Sequence, residues 1–210
     1  MQESPASDTV ALPLHFPGMR VGIFGGSFDP AHEGHRQVSR VGLRALGLDL
    51  VWWLVSPQNP LKSTAPSEDL DRRVRAARLV ANHPRIRVTG IEATLGTNYT
   101  AELLRRLLPR LAGVSVVWMM GADNLAQFHR WKDWQTIAAS VPIAIFNRPG
   151  LALKALAGPA AHSLAAWRLP EQAAANLASE APPAWTFLSR PHIPLSSTQL
   201  RALRKPRSTS

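Results

Sequence analysis

The sequence contains no cysteine. Disulfides, thiolate zinc sites and cysteine nucleophiles are thereby excluded. It also lacks an apolar run of bilayer-spanning length, so no transmembrane helix is expected. The opening segment, MQESPASDTVALPLHFPGMR, shows no basic start followed by an apolar stretch and does not read as a signal peptide. These absences fit a cytoplasmic protein without a membrane partner. Acidic residues are scarce: 14 Asp and Glu stand against 24 Lys and Arg, a formal net charge of +10. Such a chain attracts polyanions, a nucleic acid or a triphosphate alike. The arginines are spread, however. Arg36, Arg40 and Arg44, then Arg72, Arg73, Arg75 and Arg78, then Arg105, Arg106 and Arg110 fall within expected helices, whose solvated faces carry charge anyway. Only Arg204, Lys205 and Arg207 resemble a polyanion-binding arm. No internal repeat is visible.

What is present suits one domain. A chain of 210 residues, 45% of them hydrophobic, can bury a sizeable core. Residues 1–18 show no periodicity and read as a mobile extension. Val21 to Phe24 form a short apolar strand ended by Gly25 and Gly26. A helix follows from about Gly34, with Val38, Val41 and Ala45 as an apolar stripe and Gly47 placed to stop it. Val51 to Val55 is apolar throughout, as a strand covered on both faces should be. Ser67 can cap a helix whose buried stripe is Leu70, Val74, Ala77 and Ala81. Strands are expected again at residues 86–88, 114–120 and 141–146. Between them lie a Leu-rich helix from Thr100 and a helical stretch from Asp123 towards Ala139, broken near Trp131. Residues 151–184 read as a helical or loop insertion, Trp185 to Leu188 as the last strand, and 204–210 as a basic tail. This alternation predicts an α/β fold: a Rossmann-like, doubly wound parallel sheet of about five to six strands with helices on both faces. Ligands then belong beyond the carboxyl ends of the strands.

The string from Gly22 to His35 carries the first chemistry. A strand runs into Gly25, Gly26, Ser27, Phe28, Asp29 and Pro30, and a helix begins near His32 and His35. Glycines allow close backbone approach. A helix start offers free N–H groups and the positive end of a dipole, a seat for phosphate. His32 and His35, three apart, lie on one face of the first turn and can donate to phosphate oxygens. No Gly-Lys-Ser/Thr follows, so this is not a Walker A loop, and the glycine spacing is wrong for a dinucleotide fingerprint. A zinc site lacks an obvious third ligand.

The string resembles the G-x-F-G-G-x-F-D-P-x-H-x-G-H signature of the His-x-Gly-His nucleotidylyltransferases. Pro194 to Arg201 resembles the family's I-S-S-T-x-I-R segment. Gly121-Ala122-Asp123-Asn124-Leu125, with Phe128 and Trp131, is similar to the G-x-D-x-L-x-x-F-x-x-W segment of bacterial nicotinate-nucleotide adenylyltransferases, and Asn98 to Leu104 to their S-Y-T-x-D-T-L segment. The resemblance runs from residue 19 to about 150 and again from 185 to 203.

It implies an enzyme of NAD biosynthesis that joins ATP and nicotinate mononucleotide into nicotinate adenine dinucleotide and pyrophosphate. By the same resemblance, His32, His35, Lys62 and Arg201 serve the reaction, with Lys62 in a turn where Leu61 replaces the family's His. Gly25, Gly26, Ser27, Phe28, Ser197 and Thr198 would bind ATP. Asn59, Tyr99, Thr100, Asp123, Trp131 and Arg148 would bind nicotinate mononucleotide. Trp131 would stack on the pyridine, and backbone N–H groups near Tyr99 and Thr100 would take the carboxylate. Mg²⁺ would arrive on the ATP phosphates, with no dedicated protein metal site. Nucleic acid and membrane are not expected partners, and a homo-oligomer is left open. The nearest alternative is a pantetheine-phosphate adenylyltransferase, which commonly has Thr where His32 stands. A glycerol- or choline-phosphate cytidylyltransferase leaves the Trp131 region unexplained. A non-catalytic nucleotide- or RNA-binding protein would have no need of both histidines.

Overall fold

The computed structural model describes residues 9–57 and 70–190. Strand β1 spans Arg20–Gly26, β2 Leu50–Val55, β3 Ile86–Thr89, β4 Ser115–Gly121, β5 Ile143–Phe146, β6 Arg168–Leu169 and β7 Trp185–Leu188. They form one sheet in the order β3-β2-β1-β4-β5-β7-β6. Every pairing is parallel. The α-helices are α1 Glu33–Ala45, α2 Leu70–Ala81, α3 Ile91–Thr94, α4 Thr100–Leu107, α5 Ala122–Gln127, α6 Trp134–Ser140, α7 Ala152–Leu156 and α8 Pro159–Ser163. After β1 the chain builds outward through β2 and β3, then returns to place β4 on the other side of β1. The crevice beyond the carboxyl ends of β1 and β4 is therefore the topological switch point, where such sheets hold ligands.

Alternation along each strand divides the core in two. Val21, Ile23, Trp52, Leu54, Trp118, Met120, Ile143 and Ile145 face one layer with α4 and α6. Phe24, Val51, Trp53, Val55, Val117, Met119, Ala144 and Phe146 face the other with α1 and α2. This is why β2 is apolar at every position: both its faces are covered. Helix α1 buries Ser39, Gly42 and Leu43, with Val38, Val41 and Ala45 at the margin of the contact. A Cβ on Gly42 would stand 2.6 Å from Met119 Cε, so this helix sits close against the sheet because it has no side chain there.

Two expectations need correction. The sheet has seven strands, above the expected five to six. The addition is β6, two residues inside the Ala-, Leu- and Pro-rich segment 151–184 and too short for any periodicity to announce it. That segment also fills both core layers, through Ala160, Ala161 and Leu164 on one side and Ala174, Leu177 and Ala178 on the other. Residues 9–18 were expected as part of a mobile extension, yet they are tied to the domain. Gly90 N–H donates to the Thr9 carbonyl and Gly18 N–H to that of Gly113, each at 2.7 Å. Thr89 Oγ1 donates to the Ala11 carbonyl at 2.7 Å, and the His15 ring meets Trp52 edge-on. The segments thus differ: residues 9–18 are anchored, 151–184 are core, and 1–8 and 204–210 lie outside the described residues. No helix among the described residues is long and apolar enough to cross a membrane.

Candidate active site

The turn between β1 and α1 opens directly onto the switch point. His32 is the residue before the helix, with extended backbone at φ −151° and ψ 167°. Its Nδ1 accepts the N–H of Gly34 at 3.1 Å, while the His32 N–H donates to Nδ1 of His35 at 3.2 Å. This reciprocal pair satisfies two orphan donors of the helix start, the arrangement that Ser/Thr and Glu usually provide. It also determines tautomers. An Nδ1 that accepts a backbone N–H carries no proton, so each neutral ring bears its hydrogen on Nε2. His32 Nε2 is buried and has no partner among the described residues. The two ring centroids lie 3.9 Å apart.

Burial, with the Arg148 guanidinium in range, lowers the His32 pKa to about 4. His32, 7% exposed, is thus a neutral donor at physiological pH. His35 is fixed from behind by aromatic rings: Phe28 at 4.8 Å, Phe24 at 5.8 Å and Trp53 at 5.8 Å. The Trp53 indole donates to Ser39 Oγ at 2.7 Å, and Ser39 Oγ donates to the His35 carbonyl at 2.9 Å. The base of the histidine pair is therefore a packed, hydrogen-bonded wall.

Two expected ATP-binding residues have a packing role. Phe28 is 2% exposed and stacks on Trp53 at 4.9 Å, so its ring supports the site from inside the core. Gly25 is a packing glycine: a Cβ there would stand 2.8 Å from Cη2 of the buried Trp118. Gly26 ends β1, and its carbonyl accepts the Ser56 N–H at 2.9 Å. Ser27 follows, and its carbonyl accepts from Arg73 Nη1 at 2.8 Å.

Across the crevice, Asp123 lies in the first turn of α5 after β4, and Arg148 follows β5. Arg148 Nε and Asp123 Oδ1 form an ion pair at 3.3 Å, both side chains half-buried. A Cβ on Gly121 would collide with Asp123 Oδ1 and come within 3.2 Å of Arg148 Nε, so glycine at the end of β4 leaves room for this pair. The Arg148 charge acts on His32, so the ends of β1, β4 and β5 converge there.

A second group lies at the start of α4. Tyr99 precedes the helix and Thr100 opens it, with no side chain capping that end. The Tyr99 N–H donates to Thr97 Oγ1 at 3.1 Å. This corrects one expectation: the amides available to an anion begin at Thr100, not Tyr99. Trp131 interrupts the helical stretch as expected. Its backbone is extended at φ −74° and ψ 141°, and Asp133 is left-handed at φ 54°. The half-buried Trp131 ring meets Phe128 edge-on at 5.4 Å, and its Nε1 has no partner among the described residues. Lys132 Nζ lies 4.7 Å from the Tyr99 ring centroid, joining this loop to the α4 start. Asn59, Lys62, Ser197, Thr198 and Arg201 lie outside the described residues.

Two residues escaped the sequence reading. Arg73, grouped there with solvated arginines, is 3% exposed. Its Nη1 donates to the carbonyls of Ser27 and Ser56 at 2.8 Å each, and Nη2 to that of Pro57 at 3.0 Å. It thus ties the loop after β1 to the loop after β2. Asn147 is buried after β5; Nδ2 donates to the Ser189 carbonyl at 3.3 Å, and Oδ1 has no partner among the described residues. Its only signal in the sequence was position, one residue past an apolar strand on the ligand side.

The cytidylyltransferase-like family profile matches residues 23–203. A protein of Cereibacter sphaeroides named probable nicotinate-nucleotide adenylyltransferase is 53% identical over 184 residues, covering 88% of this chain and 97% of its own. One of the same name from Ruegeria pomeroyi is 51% identical, covering 91% and 89%. The chain belongs to the cytidylyltransferase-like family, on its nicotinate-nucleotide adenylyltransferase branch. A solved structure of Plasmodium falciparum nicotinic acid mononucleotide adenylyltransferase complexed with NaAD shares the fold. Its TM-score is 0.65 at 16% identity, over 90% of this chain and 85% of that one.

Proposed function

We infer that this member of the family transfers the adenylyl group of ATP to the phosphate of nicotinate mononucleotide, yielding nicotinate adenine dinucleotide and pyrophosphate. The observation that carries the reading is the His32 Nε2–H, a buried donor whose tautomer is set by Gly34 and which has no partner among the described residues. A phosphate oxygen at the α1 start would complete it. The names of the relatives at 53% and 51% identity support nicotinate mononucleotide as acceptor.

In the reaction an oxygen of the acceptor phosphate attacks the α-phosphorus in line. A new P–O bond forms, the bond to the bridging oxygen breaks, and that electron pair leaves with pyrophosphate. No covalent protein intermediate is needed, so the protein's work is positioning and charge stabilisation. His32 and His35 would hold ATP phosphates without adding net charge. Arg148, held by Asp123, would supply a fixed cation beside them. Lys62 and Arg201 are assigned to the same phosphates by family resemblance, and Ser197 and Thr198 to the ATP site. Among the described residues no cluster of three His, Asp or Glu could cage a metal. Mg²⁺ would arrive with the substrate, carried by the triphosphate oxygens and neutralising their charge. Trp131 would stack on the cationic pyridine, for which indole is the best face, and the α4 start would take its carboxylate.

A pyrophosphate-release assay with ATP and Mg²⁺ tests the reading. Nicotinate mononucleotide should be turned over fastest, ahead of nicotinamide mononucleotide and phosphopantetheine. Turnover of phosphopantetheine alone would show that the acceptor is wrong. Turnover of none would remove the enzyme reading altogether.

A further inference from the structure

We propose that Lys132 is a specificity-determining residue of the acceptor site: a positioned ammonium that pairs with the pyridine carboxylate and so selects the acid over the amide. The proposal rests on the functional reading above, which puts the pyridine on Trp131 and its carboxylate at the start of α4. Lys132 is adjacent to both. It follows Trp131 in the chain, and its ammonium reaches the ring of Tyr99, the residue that precedes α4.

The local backbone explains why the side chain lies there. Trp131 is extended and Asp133 left-handed, so the helix cannot continue through residues 131–133 and Lys132 is turned outward. Tyr99, 43% exposed, offers the face of its ring, and a cation–π contact restrains a side chain that would otherwise wander. The acid in the first turn of α4 is already committed. Glu102 receives Arg105 and Arg106 at 2.6 Å each. These bonds, with the two positive charges, hold its carboxyl down at about 2. Lys132 has no ion-pair partner among the described residues, which leaves its charge available to a ligand anion. A neutral amide gains nothing from that charge, whereas a carboxylate does.

The test compares the parent protein with Lys132→Met, which keeps the apolar stem, and Lys132→Arg, which keeps the charge. For each, kcat and KM are measured with nicotinate and nicotinamide mononucleotide. Calorimetric binding of both ligands supplies the same ratio where amide turnover is slow. Lys132→Met should raise KM for the acid roughly five- to tenfold and leave kcat and the amide values within about twofold. Lys132→Arg should retain most of the preference. Added salt should erode the preference of the parent and not that of Lys132→Met. An unchanged acid-to-amide ratio in Lys132→Met overturns the proposal. So does an equal loss for both ligands, which would mark Lys132 as merely structural. A parent protein that turns over neither mononucleotide overturns the functional reading, and this inference with it; normal turnover with an unchanged ratio overturns the inference alone.

Discussion

His32 shows how two backbone contacts assign a proton. Because Nδ1 is occupied by the Gly34 N–H, only Nε2 can donate, and burial keeps the ring neutral. Removing such a preorganised donor typically costs about 100- to 1000-fold in rate. His32→Ala is therefore expected to lose about that much kcat while retaining its far-ultraviolet circular dichroism, as steady-state kinetics beside spectra would show. Gly25 argues the opposite kind of case. Its place in a glycine pair suggested close approach by a ligand, yet the nearest obstacle to a Cβ is Trp118. Gly25→Ala should destabilise the fold by about 1–3 kcal/mol, the usual cost of overpacking, measured as a lower urea midpoint. A loss of ATP affinity at unchanged stability would contradict that assignment. Both residues were visible in the sequence. Whether each faced a ligand or the core was not, because one string of fourteen residues folds into a strand end, a turn and a helix start that look in different directions.

At the scale of elements, α2 illustrates what periodicity omits. Its apolar stripe of Leu70, Val74, Ala77 and Ala81 is legible, and Val74, Ala77 and Ala81 are buried. Its arginines look alike in the sequence. Only the packing of α2 beneath two loops buries Arg73 and places three carbonyls around its guanidinium. Two of those loops' residues, Ser27 and Ser56, follow the strands that flank the site. Arg73→Gln should destabilise the protein by about 3 kcal/mol by leaving buried carbonyls short of donors. It should also lower kcat, because the loop after β1 would lose its tether. Val74→Ala, which removes buried methyls of the same helix, should show the stability loss without the kcat loss, and thermal melts beside kinetics would separate them. The break at Trp131 was likewise foreseeable from the sequence, but the approach of Lys132 to Tyr99 was not, since α4 and this loop are far apart along the chain.

For the whole molecule, two buried groups act on stability with opposite dependence on pH. Burial raises the Glu92 carboxyl to about 8, with the Arg73 charge opposing the rise. The native state therefore keeps a proton that the unfolded chain releases, and stability falls as pH increases from about 4.5 towards 8. His32 has the reverse sign: its pKa is lowered to about 4, so stability is present above about 6.5 and falls as acid protonates the unfolded ring first. The two windows overlap between about 4.5 and 6.5, where the slopes oppose each other. Denaturant titrations should therefore show little net change there and a fall from about 6.5 towards 8. Glu92→Gln should remove that fall and uncover the His32 rise from about 4 to 6.5. A slope unchanged in Glu92→Gln would remove that carboxyl from the account. The sequence by itself determined the parallel α/β sheet, the helix that begins at the histidine pair and the family, because these follow from local periodicity, chain punctuation and residue order. Tertiary structure alone decided that Gly25 and Phe28 pack in the core, that Arg73 is buried, that residues 151–184 complete both layers and that the Asp123–Arg148 pair stands within electrostatic range of His32. Those facts depend on which strands become neighbours and which helix faces are covered, and contacts between distant segments leave no periodic trace in either one.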